Sequence, residues 1–334
     1  MRLLSATAAL ALTLPAAAQV TKTVRTELSA AEAVRFNVEN LAGTIRVSAG
    51  SGDTVTIVAT VHAESEALAD RLKFERRAWK DGLPVIRLSW PIGEHQDFRY
   101  PKGDSHSDIR YGDDGSTDGV ARRRIRVRPD AGVLLYADVE VQMPKRQAQA
   151  GFYNRVGAVG GTGVSGTLRF DTASGDITLD GVSGDVLADS GSGDVSATQV
   201  SGSFRCDTGS GNCTVRGFKG DRLSLDTGSG DLVLRDVQAR VIEADTGSGD
   251  VEAHLDTPAE RVTADTGSGN VRLRLPRDAS FELRADTGSG EIESRFADAE
   301  PILRRREVVG YRRGDGALRI EVDTGSGDVS VEPN

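Results

Sequence analysis

The sequence predicts an all-β protein whose larger part is a β-solenoid, similar to a parallel β-helix or β-roll, with coils of about 18–21 residues. The first observation is a pentapeptide, DTGSG or a near copy of it, that begins at eight aspartates. Seven of them follow one another at intervals of 18 to 21 residues, and the eighth comes 37 residues later. The aspartates are Asp171, Asp189, Asp207, Asp226, Asp245, Asp265, Asp286 and Asp323.

The second observation is an alternation of apolar residues on both sides of each copy. An apolar residue stands three positions before the aspartate, from Leu168 to Ile320, and another stands six positions after it, from Ile177 to Val329. This period-two pattern predicts a strand, a corner and a second strand in each unit. Such short strands bury an apolar face only when units stack. Stacking is therefore favoured over a flat series of hairpins, whose registers would have to be set independently.

The repeated pentapeptide itself is predicted to be a corner. Glycines such as Gly228 and Gly230 allow positive φ without steric cost. Asp226 is in a position to accept hydrogen bonds from the backbone N–H groups of its own corner, as in an Asx-turn. We therefore expect all eight aspartates to be turn-forming residues with a structural role.

The first 18 residues have the features of a secretory signal peptide, with Arg2, an apolar run over 3–14 and small residues at 16–18. Cleavage near Ala18 predicts an extracytoplasmic protein, in the periplasm, on the cell surface or secreted. No later apolar stretch approaches the roughly 20 residues of a membrane helix. Without Arg2 the chain has 40 basic and 50 acidic residues, a formal charge of −10 that argues against nucleic acid as a partner.

The remaining chain divides into two predicted parts. Residues 19–149 read as a β-rich capping region, because a bare terminal coil would offer an unpaired edge. Within it, residues 91–120 are polar and glycine-rich and are predicted to form a long loop. Residues 150–334 form the predicted solenoid, which an insertion over 297–316 interrupts.

The chain has two cysteines, and both flank one corner in the stretch CDTGSGNC. Cys206 and Cys213 occupy inward positions just before and just after that corner. In an exported protein this arrangement favours a structural disulfide. The alternative is a pair of small buried thiols in slots where other coils carry alanine or valine.

Two patterns raise the question of metal binding. The acids that follow the corner glycines could bind calcium, but their offset differs from that of calcium β-rolls, and two positions are asparagine. Solvated, backbone-bonded side chains are favoured, and no cofactor is expected. His95, Asp97, Asp104, His106 and Asp108 share the polar loop and could ligate zinc or copper. A solvated loop is the favoured interpretation, and no catalytic constellation is apparent.

A row of arginines is the candidate site for an anionic ligand. Arg122, Arg124, Arg126 and Arg128 alternate along one predicted strand, so their guanidinium groups share a face. Anionic glycans or lipid head groups would suit such a row. Ion pairs with the chain's own acidic residues are the favoured alternative.

Two stretches carry a resemblance to a known family. FNVENLAGTIRV, from residue 36, and the segment from VEVQMPKRQ at residue 139 to the corner SGSGDV resemble the putative adhesin domain of bacterial exported proteins. The resemblance covers roughly residues 35–332, and its most specific element is the tandem SGD(I/V) corner. It implies a solenoid-like β fold at or beyond the cell envelope and implies no catalytic residues.

The expected function is that of a non-enzymatic envelope or surface protein, a binding or scaffold module with an extended, repetitive recognition surface. Its partner would be an envelope protein or an anionic glycan. One alternative is a periplasmic regulatory module for envelope stress that binds a membrane protein, which an exposed apolar patch on one face would favour. A less favoured alternative is a glycan-active enzyme, which needs a cleft with converging carboxylates.

Overall fold

The computed structural model describes residues 19–79, 82–103, 106–112, 122–257 and 259–334, so the predicted signal peptide lies outside it. The predicted all-β solenoid is confirmed, because almost every element is a strand and the coils pair in parallel. The helical elements among these residues are a 3-10 turn, Glu32–Val34, and one short α-helix, Glu66–Ala69.

Nine strands precede the regular repeats. They are β1 Val20–Leu28, β2 Arg35–Ala49, β3 Val55–Ala63, β4 Phe74–Ala78, β5 Pro84–Leu88, β6 Asp97–Arg99, β7 Ser107–Gly112, β8 Arg122–Arg128 and β9 Val133–Met143. β1, β3 and β9 pair in antiparallel fashion and form the main part of the cap.

The repeats supply nineteen further strands. They are β10 Ala148–Val156, β11 Val159–Thr162, β12 Ser165–Ser174, β13 Ile177–Asp180, β14 Ser183–Ser190, β15 Val195–Thr198, β16 Ser201–Thr208, β17 Cys213–Arg216, β18 Lys219–Thr227, β19 Leu232–Thr246, β20 Val251–Leu255, β21 Arg261–Thr266, β22 Val271–Leu275, β23 Phe281–Thr287, β24 Ile292–Ser294, β25 Glu300–Arg304, β26 Glu307–Arg313, β27 Leu318–Thr324 and β28 Val329–Pro333.

Each coil contributes one strand to each of two parallel sheets. We call the sheet whose strands lead into the DTGSG corners the leading sheet and the other the trailing sheet. The leading strands align aspartate on aspartate, so the apolar residues of successive coils stack as well. Leu168, for example, pairs with Val186 and Val186 with Phe204, and all three are buried. This continuous stacking forms the core and explains how such short strands are stable together.

The spatial order of the last coils differs from their order in the sequence. β27 lies between β21 and β23, pairing in parallel with both, and β28 lies between β22 and β24. The coil formed by the C-terminal residues 318–333 is therefore inserted between two coils that precede it in the chain. The antiparallel hairpin of β25 and β26, within the predicted insertion, then covers the outer strand β23.

The other end of the stack shows a similar inversion. β2 pairs in parallel with β10 and β11 on one side and with β5 and β9 on the other. Residues 35–49 thus form a coil of the stack, although they precede the predicted solenoid boundary near residue 150 by about a hundred residues. Sequence reasoning missed this coil because it lacks the DTGSG corner.

The prediction of one long loop over residues 91–120 is wrong for the part that the structure describes. β6 and β7 both lie in this segment and pair with β8, in parallel and antiparallel fashion respectively. Phe98 and Ile109 are buried, and these apolar contacts explain why a polar segment folds against the cap. Residues 104–105 and 113–120 lie outside the described residues.

The corner glycines are needed for close approach between coils. Gly228 and Gly230 do not have the positive φ that the sequence suggested. Instead, a Cβ atom on Gly230 would lie 2.0 Å from the backbone oxygen of Gly211 in the neighbouring coil. Positive φ occurs at the opposite corner, as at Gly184 with φ +112°.

Candidate functional site

The corner hydrogen bonds belong to the threonine of the pentapeptide and not to its aspartate. Thr227 Oγ1 donates to the carbonyl of Gly211 in the preceding coil and accepts from Gly230 N–H in its own corner. Thr208, Thr246, Thr266 and Thr324 repeat both bonds. The prediction that the eight aspartates form the turn by accepting these N–H groups is therefore corrected. The threonine side chain points inward, where both partners lie, while the aspartate points outward.

The acidic residues after the corner glycines form a second ladder. The Asp194 carboxylate accepts Asn212 N–H at 2.8 Å, and the Asn212 amide oxygen accepts Asp231 N–H at 2.8 Å. Asparagine serves as well as aspartate because only a side-chain oxygen is required, which explains the mixed sequence at this position. Among the described residues, no group of three or more His, Cys, Asp or Glu side chains lies close enough together to hold a metal ion.

The eight pentapeptide aspartates form one continuous row on the outer face of the leading sheet. We call them the aspartate row; in spatial order they are Asp171, Asp189, Asp207, Asp226, Asp245, Asp265, Asp323 and Asp286. Neighbouring strands lie about 4.8 Å apart, so each carboxylate has a like charge beside it, and those inside the row have one on either side.

Arginine neutralises only the first part of the row. Arg169 Nη2 lies 2.7 Å from Asp171 Oδ2 and 2.6 Å from Asp189 Oδ2. Arg205 Nη2 lies 3.5 Å from Asp207 Oδ2. The remaining members, from Asp226 to Asp286 in the spatial order, form no ion pair with any described residue.

Burial and neighbouring like charges raise the pKa of two members of the row, Asp189 and Asp245. Burial, followed by the charges of Asp265 and Asp226, raises the pKa of Asp245 above its ordinary value of 3.8. Burial and the charge of Asp171 likewise raise the pKa of Asp189, although Arg169 opposes the shift. Ionisation of Asp189 and Asp245 at neutral pH therefore works against folding.

A groove lies at the N-terminal end of the same face. It has a volume of about 370 Å³, and Tyr153, Asn37, Gly151 and Arg169 line it. The Tyr153 ring stands between Trp79, at 4.9 Å, and the Arg169 guanidinium, at 5.8 Å. Burial raises the pKa of the tyrosine to about 12. The sequence carried a signal for this site, since Tyr153 occupies the aspartate position one coil before Asp171.

A larger cleft lies at the C-terminal end of the face. It has a volume of about 940 Å³ and separates the end of the aspartate row from the hairpin of β25 and β26. Asp286 and Asp323 line it from the sheet, and Arg304, Arg305 and Glu307 line it from the hairpin. The sequence could not indicate this cleft, because it depends on the inserted position of β27.

The structure brings the two cysteines together as a bonded pair, with their Cα atoms 6.8 Å apart. Cys206 lies near the end of β16 and Cys213 begins β17, so the pair closes the corner from within the core.

The disulfide in the exported protein remains a prediction. Replacing both Cys206 and Cys213 by serine is expected to destabilise the chain by about 2–3 kcal/mol, because the bond closes a short loop in the unfolded state. Thiol alkylation of the chain in denaturant, before and after reduction, measures the bond, and urea unfolding measures the loss of stability. Alkylation of both thiols without reduction would instead support two buried thiols.

The arginine strand is partly neutralised by the chain itself. Arg124 Nε donates to Asp108 at 3.2 Å, and this interaction lowers the pKa of Asp108. Arg126 Nη2 donates to Asp97 at 2.5 Å. The Arg122 side chain lies outside the described residues, and Arg128 shares the strand.

The polar residues considered as zinc or copper ligands have other partners. Asp97 and Asp108 pair with arginines, and His106 Nε2 lies 3.2 Å from Asp130. His95 packs edge-on against Phe98, and Asp104 lies outside the described residues.

Three solved structures resemble the chain at low identity. A putative adhesin from Bacteroides fragilis is 11% identical, with 95% of this chain and 98% of that chain covered and a TM-score of 0.42. A putative adhesin from Parabacteroides merdae is 11% identical, with 95% and 96% covered and a TM-score of 0.37. A putative lipid binding protein from Parabacteroides distasonis is 12% identical, with 92% and 96% covered and a TM-score of 0.34. These values are too low to identify a ligand or an activity for this chain.

Comparison with curated protein sequences gave no match. No helix among the described residues is long and apolar enough to cross a bilayer. Residues 136–332, which are more than half of the chain and contain all the DTGSG coils, match the family described as Toastrack DUF4097, and the chain therefore belongs to that family.

Proposed function

We propose that this chain is a non-enzymatic, extracytoplasmic binding or scaffold module at the cell envelope or surface, and that the outer face of the leading sheet is its recognition surface. The observation that carries the proposal is the aspartate row, in which the members from Asp226 onwards lack an ion-pair partner among the described residues. A row of like charges at intervals of about 4.8 Å opposes folding. Groups that reduce stability are commonly retained where they serve function.

The charge of the row selects the class of partner. Regularly spaced carboxylates attract a surface or polymer that presents cations along its length, and each additional coil adds another contact. An envelope protein with a basic face fits this requirement better than an anionic glycan. The arginines of β8 have less unpaired positive charge for a glycan than the sequence suggested, because Arg124 and Arg126 already form ion pairs with Asp108 and Asp97.

The two alternatives receive different support. A regulatory module that binds a membrane protein would be favoured by an apolar patch on a solenoid face, yet the exposed large apolar side chains among the described residues are Val34, Leu303 and Val308. None of these lies on a face of the regular coils. The glycan-active alternative has one observation in its favour, since Glu307 and Asp286 line the same cleft. Release of reducing ends from a glycan by the purified chain would contradict the binding proposal.

Neutralising the row tests the proposal through two opposite effects. Replacing Asp226, Asp245 and Asp265 together by asparagine is expected to raise the midpoint of thermal unfolding by a few degrees, because each removed repulsion is about 1 kcal/mol at low salt. The same change is expected to weaken binding to immobilised polylysine at least tenfold. The control replaces the exposed corner serines Ser229, Ser248 and Ser268 by alanine in the same coils and should change neither quantity.

The pH dependence follows from the raised pKa of Asp245. The folded state holds the proton to higher pH than the unfolded state, whose pKa is near 3.8. The free energy of unfolding should therefore fall as pH rises from about 4 through the raised value, and the asparagine variant should lack this part of the fall. A lower midpoint in that variant would contradict the repulsive row.

Melts with calcium and with chelator test the remaining alternative, in which a bound ion neutralises the acids.

A further inference from the structure

The turn between β25 and β26 presents two apolar side chains to solvent. Leu303 is 61% exposed and Val308 is 37% exposed, and the two residues pair directly across the hairpin. Directly opposed residues of an antiparallel pair share one face, so these side chains form a small apolar surface. We call residues 303–308 the hairpin tip. It extends past the last pair that joins the hairpin to the stack, Arg284 with Gly310.

The charges of the tip are unbalanced, because Glu307 is its one acidic residue. Arg304, Arg305 and Arg306 are consecutive, and none forms an ion pair with a described residue. The arginines at the base of the same hairpin behave differently, since Arg313 Nε lies 2.7 Å from Asp298 and Arg312 Nη1 lies 3.9 Å from Glu282. The free positive charges of the hairpin are therefore concentrated beside the apolar pair.

The backbone of the tip is also unusual. Arg305 has φ +51° and Arg306 has φ +81°, which makes the connection a two-residue turn with both central residues left-handed. Asn-Gly is the usual sequence for such a turn, because long side chains are strained there. Strain of this kind persists most often where a position serves a function.

We propose that the hairpin tip docks onto an anionic membrane surface, with Leu303 and Val308 in the interfacial layer and the three arginines among the head groups. A narrow, convex tip cannot supply the roughly 800 Å² per partner of a stable protein interface. A bilayer needs no preformed complementary surface, and apolar contact with basic charge provides two membrane signals together. The inference goes beyond the proposed function, because it leaves the members of the aspartate row outside the cleft, from Asp171 to Asp245, free to bind a second partner.

Vesicle binding tests the proposal on the chain from Gln19 to Asn334, without the apolar leader that would itself bind lipid. One assay measures cosedimentation with anionic vesicles that contain equal amounts of phosphatidylglycerol and phosphatidylcholine. A second assay measures cosedimentation with vesicles of phosphatidylcholine alone. Replacing the three tip arginines by glutamine is expected to weaken binding about a hundredfold, since each contributes about fivefold. L303S/V308S is expected to weaken it by at least tenfold.

Two matched controls separate the tip from the rest of the surface. V34S removes an apolar side chain of similar exposure at the other end of the molecule. R216Q/R272Q removes exposed arginines of the trailing sheet that form no ion pair among the described residues. Both controls should bind as the unchanged chain does, and circular dichroism should show all variants folded.

The outcomes are distinct. Loss of binding in the tip variants alone supports the proposal, as does a blue shift of added tryptophan emission in L303W on anionic vesicles. Equal binding by the tip variants and the unchanged chain would overturn it. Tip-dependent binding to the soluble polyanion heparin, without binding to vesicles, would also overturn it in favour of an anionic polymer.

Discussion

Replacing Leu225 by aspartate is expected to destabilise the solenoid by about 4–5 kcal/mol or more, because it buries a carboxylate between stacked coils. Leu225 is 1% exposed and its strand neighbours at the same position are Cys206 and Ala244, both buried. None of these side chains offers a hydrogen bond or a positive charge to the new group. The variant therefore either keeps the charge in an apolar layer or separates the coils around it.

Each coil of a solenoid contacts mainly the coils next to it, so the loss of stability caused by Leu225→Asp should be local as well as large. Hydrogen exchange should show lost protection first in β16, β18 and β19, because each coil depends mainly on its immediate neighbours. Urea unfolding followed by circular dichroism gives the loss of free energy.

Two substitutions serve as controls for Leu225→Asp. Leu225→Met nearly conserves volume and is expected to cost less than 1.5 kcal/mol. Ser224→Asp introduces the same charge one position away on the outer face, where we expect a change within about 0.5 kcal/mol. Native-like melting of Leu225→Asp would mean that the inward register is incorrect.

The strand register could be predicted from sequence because each coil repeats the same local requirement. An inward residue must be apolar in every copy, so the alternation around Leu168 or Val262 identifies the buried face without knowledge of the partner strand. Fold class and stacking therefore followed from periodicity alone.

The role of the aspartates could not be predicted, because two side chains in the same corner compete for the same backbone groups. Aspartate and threonine both cap turns, and the choice depends on which of them points inward. Thr227 is buried, whereas the Asp226 side chain lies on the outer face, so the threonine makes the bonds. If the strand alternation is extended one residue into the corner, it predicts that the threonine points inward and the aspartate outward.

The order of the coils could not be predicted, because identical corners are interchangeable. Asp323 fits between Asp265 and Asp286 as well as it would fit beyond Asp286, since every coil offers the same row of contacts. The positions of the hairpin tip and the cleft depend on that order, so the sequence could not predict them either. The unequal gap of 37 residues was the only local sign of the insertion.

Deleting residues 317–334 is expected to release the coil formed by β23 and β24 from the stack. β27 and β28 provide its parallel partners, with Leu318, Ile320 and Val322 buried in the leading layer. At about 1.5–3 kcal/mol for each fully buried side chain, removal of this layer is larger than the effect of any single substitution considered above.

The truncated chain should keep protection from hydrogen exchange in β12 to β18 and lose it in β23 and β26, because contacts beyond the nearest coil are few. Adding a synthetic peptide of residues 317–334 should restore protection, since the vacated position is flanked by two complementary edges. In the full chain, R319S/E321S changes only outward-facing side chains of β27 and serves as the control. Full protection of β23 in the truncated chain would mean that this coil stacks directly on β21, and that the inserted coil can be dispensed with.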